Sequence, residues 1–89
     1  MQNYHVFVDE MDDTYQIALI PSSRNGGAMG TKHYLTKEAF TADLQRYLRY
    51  TDAAIDRFFS LPERDQTLAH YPLSDEDAAY LGWLPEFNK

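Results

Sequence analysis

Three groups of residues in this chain carry side chains able to do chemistry. The first is a glycine-rich stretch, Gly26-Gly27-Ala28-Met29-Gly30-Thr31-Lys32, with Arg24 before it and Tyr34 after it. Glycines, a hydroxyl and a lysine in succession suggest backbone N–H groups gathered round an anion, with Arg24 and Lys32 supplying charge. The spacing departs from a phosphate-binding loop, which needs four residues between its glycines and a Gly-Lys-Ser/Thr opening a helix. It departs equally from the dinucleotide fingerprint, because GGxxG is not GxGxxG and no βαβ unit surrounds it. A flexible connection between strands accounts for the stretch. The alternative is a small-molecule site over residues 22–32 for an anionic or nucleotide-like ligand, built from Arg24, Gly26, Gly27, Gly30, Lys32 and Tyr34.

The second group is Asp9, Glu10, Asp12 and Asp13. Oxygen ligands at this density could take a divalent cation, but the Asp-x-Asp-x-Asp-Gly order and its turn glycine are missing. A solvated hairpin tip explains them, and their functional use would be contact with a basic protein surface. The third group, His5, His33 and His70, shows no HExxH and no i,i+4 pair. His5 and His33 would become neighbours only through strand pairing. Ser22, Ser23, Ser60 and Ser74 all have turn or cap explanations, and there is no cysteine to act as nucleophile or metal ligand. No catalytic residue, metal ligand or cofactor site is assigned, and the reading leans away from an enzyme.

Seven tyrosines stand in 89 residues, more than a small core easily holds. Tyrosine offers wide contact area, a polar tip and little entropy loss, so a subset at the surface would suit a protein interface. Tyr47 and Tyr50 are the candidates, and a homodimer is one way to use them.

The elements that must position these residues read as follows. Tyr4, Val6 and Val8 alternate with His5, Phe7 and Asp9, and Tyr15, Ile17 and Leu19 alternate with Gln16, Ala18 and Ile20. These are two strands, joined by a loop of about four residues into an antiparallel hairpin. Residues 22–31 form a loop, and residues 33–35 a short third strand. Phe40, Leu44, Tyr47 and Leu48 fall on one helical face behind a Thr36 cap, with Leu35 and Phe40 placed to form a hydrophobic staple. Asp43 falls with the polar residues. A second helix starts at Thr51–Asp52, and a break near residues 50–52 keeps the cap residues out of a helix interior. Ser60-Leu61-Pro62-Glu63 matches a capping box for a third helix over 61–70, with Leu61 and Leu68 facing inward. Ser74 caps a fourth, Gly82 ends it, and Trp83, Leu84 and Phe87 are expected to dock on the core.

The expected fold class is α+β, a single domain over 1–89. An N-terminal antiparallel sheet of two or three strands would pack on a helical C-terminal half of three or four short helices. The expected core is Val6, Val8, Ile17, Leu19, Phe40, Leu44, Leu48, Ile55, Phe59 and Trp83. A net charge of −6, from 14 acids against 8 bases, argues against direct nucleic-acid binding, which needs a basic footprint. No apolar run is long enough for a membrane span and no signal peptide is visible, so the expected location is cytoplasmic, without membrane partners.

In element order, acidity and lack of catalytic motifs the chain resembles small phage or mobile-element proteins that bind and inhibit host machinery. The resemblance rests on general character and assigns no site. It implies a small acidic interaction protein that binds and regulates or inhibits a protein partner.

Overall fold

The computed structural model describes residues 1–23 and 29–83. Its order is β1 (Gln2–Met11), β2 (Thr14–Pro21), β3 (Gly30–Tyr34), α1 (Lys37–Leu48), α2 (Asp52–Ser60), β4 (Asp65–Leu73) and α3 (Asp75–Tyr80). The strands form one antiparallel sheet in the order β3-β2-β1-β4. The class is therefore α+β, with four strands and three helices among the described residues. None of these helices is long and apolar enough to cross a membrane.

The expected helix over 61–70 is a correction, for that region supplies β4. Its inward side chains are Gln66 and Leu68, then Tyr71 and Leu73, so the phase slips by one residue between the two pairs. The slip is a bulge: three steps along β4, from Leu68 to Tyr71, face two steps along β1, from Val6 to Tyr4. His70 sits in the bulge with φ 54°. The bulge removes the strict alternation that marks a strand in sequence. The capping-box pattern at Ser60–Glu63 does not nucleate a helix, because only two apolar residues, a full two turns apart, would have held it to the core.

The hairpin between β1 and β2 is tighter than the expected loop of about four residues. Met11 pairs with Thr14, leaving two central residues, Asp12 and Asp13, at φ 48° and 67°. Positive φ at both positions is the demand of a type I′ turn, whose twist suits paired strands, and Asp tolerates it better than most residues. The Thr14 hydroxyl donates to the Met11 carbonyl at 2.7 Å. The third strand also begins earlier than expected, at Gly30, and ends at Tyr34.

The break between α1 and α2 falls where the sequence places it. Arg49 takes a left-handed conformation, φ 57° and ψ 33°, and closes α1, while the Tyr50 N–H donates to Leu44 O at 3.0 Å. The Thr36 and Thr51 hydroxyls accept from Ala39 N and Ala54 N and cap the two helices. The Leu35–Phe40 staple is not made, since Leu35 is 82 % exposed.

The core lies between one face of the sheet and the helices. Val6, Val8, Ile17, Leu19, Phe40, Leu44, Leu48 and Trp83 are buried as expected. Two positions are corrected: Phe58 rather than Phe59 is fully buried, and Ile55 is only half-buried. Tyr4, Tyr34, Leu73, Ala78 and Leu81 complete the core.

Trp83 reaches this core through a helix stop. Gly82 at φ 105° ends α3; its N–H donates to Ala79 O, and the Trp83 N–H donates to Ala78 O at 2.9 Å, the paired bonds of a Schellman motif. The turn lies against β3 so closely that a Cβ on Gly82 would stand 2.5 Å from Thr31 O, and one on Gly30 would stand 2.7 Å from Trp83 Cα. Gly82→Ala combines a left-handed penalty with a backbone clash. It is expected to lower stability by at least about 1–3 kcal/mol, read as a fall in the denaturant midpoint. An unchanged midpoint would show that the turn yields freely. Leu84 and Phe87 lie outside the described residues.

Candidate functional site

The side chains singled out in the sequence are brought together only in part. Arg24, Gly26 and Gly27 lie outside the described residues. Gly30 is taken up by the contact with Trp83. The four acidic residues are divided by the pleat: Asp9 is on the face turned away from the described helices, where Gln16 Nε2 donates to its Oδ2 at 3.1 Å. Glu10 is on the other face, paired with Arg64 at 2.6 Å. That guanidinium holds the Glu10 carboxyl below its ordinary range. Asp12 and Asp13 are exposed at the turn. His5 packs on His70, with ring centroids 4.9 Å apart, while His33 stands opposite Gln16 on β3 with β2 between it and β1. Among the described residues no group of three or more His, Asp or Glu could hold a metal ion.

What does converge is Lys32, Tyr34 and Tyr47, through two residues the sequence did not single out. Asp43 on α1 is only 8 % exposed, and its Oδ2 accepts two phenol protons, from Tyr34 at 2.6 Å and from Tyr80 at 3.0 Å. One carboxylate thereby ties β3, α1 and α3 together. The Tyr80 ring stacks on Tyr47, centroids 4.5 Å apart at 25°. The Lys32 ammonium lies 4.1 Å from the Tyr80 ring centroid and 5.7 Å from that of Tyr34, within cation–π range. A concavity of about 470 Å³ opens beside the cluster, bounded by Lys32, Tyr34, Leu35, Asp43 and Tyr80.

The placement of Asp43 with the polar residues is a correction, since the side chain is buried. Asp43 falls at i+3 between Phe40 and Leu44, inside the apolar stripe of α1, where a carboxylate is unexpected unless something donates to it. Its donors come from residues 34 and 80, and no local pattern announces them.

The electrostatics favour a rigid strut over a reactive group. Burial, and then the hydrogen bond to Asp43, pushes the Tyr34 phenol far above its ordinary range. The bond to Asp43 also raises Tyr80. A phenol held this way supplies no phenolate near neutrality. Tyr50 sits apart, donating to Gln66 Oε1 at 2.6 Å, and burial pushes its pKa up to about 12.

These shifts fix the sign of an alkaline effect. Above about pH 10 the unfolded chain loses the phenol protons of Tyr34 and Tyr50 while the folded chain retains them. Stability is therefore fully present below that pH and falls as pH rises, for Tyr50 across the window from about 10 to about 12. Phenolate absorbance should show Tyr34→Phe deleting a transition that occurs only on unfolding. A normal titration of all seven tyrosines in the folded chain would refute the buried network.

The chain matches no protein-family model, no curated protein and no solved structure.

Proposed function

We propose that the chain is a non-enzymatic interaction protein that binds, and so regulates or inhibits, a protein partner. We place the contact on the Tyr80–Tyr47 ledge with Leu35 beside it. The observation that carries this reading is the division of labour within the cluster. The Tyr80 hydroxyl is tied down by Asp43, yet Tyr80 is 45 % exposed and Leu35 is 82 % exposed. Tyr80, held still before binding, costs little ordering entropy on association, which is what a hot spot needs. Asp12 and Asp13 supply the electrostatic part of the proposal, a partner surface of positive charge and a salt-sensitive association rate.

A photo-crosslinking residue at position 80 or 35, introduced in the native cell, tests this. One discrete protein adduct is expected from each position, lost when unlabelled wild-type chain competes, and absent when the probe sits at Ser60. Adducts that are diffuse, or identical from all three positions, would reject the ledge as a contact surface.

The alternative, a binder of an anionic or nucleotide-like ligand, has the concavity and Lys32 in its favour. Against it, the ammonium is engaged with the Tyr80 ring and the Asp43 carboxylate faces the same space. Millimolar phosphate or nucleoside phosphates are expected to leave the melting temperature unchanged. A rise of several degrees, abolished by Lys32→Ala, would reverse the preference.

A further inference from the structure

The two edges of the sheet are not alike. The turn at Gly82–Trp83 packs against the backbone of Gly30 and Thr31 on β3. The β4 edge has no neighbour among the described residues. Which backbone groups it presents follows from one bond. The Glu10 N–H donates to Arg64 O at 2.9 Å, and the register runs on through Val8–Gln66 and Val6–Leu68. In an antiparallel ladder these pairs turn their N–H and C=O groups toward each other, and the residue between them turns its own outward. Thr67 therefore presents both backbone groups to the open side, and among the described residues nothing pairs with them.

Beside this edge runs a groove of about 480 Å³ between β4 and the junction of α1 with α2. Gln66, Thr67 and Leu68 form one wall, and Arg49, Tyr50 and Arg57 stand across from them. Among the described residues no acidic side chain lines it. In a chain of net charge −6, these two guanidiniums have no ion-pair partner among the described residues, whereas Arg64 has Glu10. The groove is a positively charged strip alongside free strand hydrogen-bonding groups.

We propose that the β4 edge takes up an extended acidic segment of a partner protein as a fifth strand. The added strand pairs with Thr67, and its alternate side chains carry carboxylates toward Arg49 and Arg57. Its other side chains lie beside the Thr67 side chain, on the face that bears Phe7. The bulge at Ala69–His70 and Pro72 end the regular edge, so the paired segment is short, over 65–68. A second copy of this chain fits less well, because its own β4 carries a single acid, Asp65. This surface is distinct from the Tyr80 ledge, and its test does not depend on that reading.

The test uses the full chain and fluorescein-labelled heptapeptides of alternating Glu and Val, Gln and Val, or Lys and Val, read by anisotropy up to about 1 mM peptide. The Glu-Val peptide is expected to bind at least about tenfold more tightly than Gln-Val, and Lys-Val not at all. Arg49→Ala with Arg57→Ala should remove that advantage while leaving the melting curve cooperative. N-methylation of alternate peptide amides should abolish binding in one of the two phases, because only one phase donates to the edge. Tyr80→Ala should leave the affinity unchanged. Equal binding of Glu-Val and Gln-Val, indifference to N-methylation in both phases, or no binding at the highest concentration would each overturn the proposal. So would a sedimenting dimer dispersed by Thr67→Pro, which would assign the edge to a second copy.

Discussion

Phe40→Ala is expected to lower the unfolding free energy by about 3–5 kcal/mol, the range for emptying a fully buried aromatic site. Phe40 is 0 % exposed, and its ring meets others from every side of the core. Tyr15 stacks on it at 4.7 Å, Tyr34 approaches at 5.6 Å, Phe58 at 5.7 Å and Phe59 at 6.3 Å. Those rings come from β2, β3 and α2, so one side chain of α1 anchors three elements. The cavity cannot close by moving one neighbour, because each neighbouring ring is itself held by another, as Tyr34 is by Asp43. For a domain of this size each kcal/mol is worth about 4–8 °C, so a melting temperature lower by roughly 12–40 °C is expected. Phe40→Leu keeps an apolar side chain of workable volume and should cost much less. A fall of under about 5 °C for the alanine variant would mean that the ring cluster does not carry the core.

The second large effect is at Asp43. Asp43→Ala leaves the buried Tyr34 hydroxyl without its acceptor and frees Tyr80, at a cost of about 2–4 kcal/mol. The opposing term is the desolvation of the carboxylate itself, which the substitution relieves. The loss wins because the buried Tyr34 donor is left unpaired and Tyr80 loses its tether between α3 and α1. Asp43→Asn, whose amide oxygen still accepts, should cost less. Tyr34→Phe combined with Asp43→Ala should cost less than the sum of the two single changes, with a coupling of at least about 1 kcal/mol in a double-mutant cycle by chemical denaturation. Additive costs would show that the two groups do not act as a unit. Asp43→Ala should also weaken crosslinking from position 35, where Tyr80 is kept and its hydroxyl is held by Asp43.

Helix boundaries were legible in this sequence because they are decided by neighbours in the chain. Thr36, Thr51 and Ser74 each cap the helix that follows, and Gly82 stops α3, all through contacts within five residues. The first two strands were legible from alternation, as was the burial of Val6, Val8, Ile17 and Leu19. β4 was not, because its bulge shifts the phase between Leu68 and Tyr71 and because its only cause to be a strand is the open edge of β1. Phe58 and Phe59 are adjacent, and which of them enters the core depends on the angle at which α2 meets α1.

The candidate site divides along the same line. Lys32, Tyr34 and Tyr47 could be picked out by type, and the acidic residues by density. Sequence by itself determined the caps, the helix break, the alternating core and the acidic turn, each a matter of local sterics and hydrogen bonding. Only the tertiary structure decided that Asp9 and Glu10 face opposite sides, that Asp43 is buried under two phenols, and that Thr67 is left unpaired beside two arginines. Those outcomes depend on strand order, pleat and register, which are set by long-range pairing between segments up to 71 residues apart, such as Gln2 and Leu73.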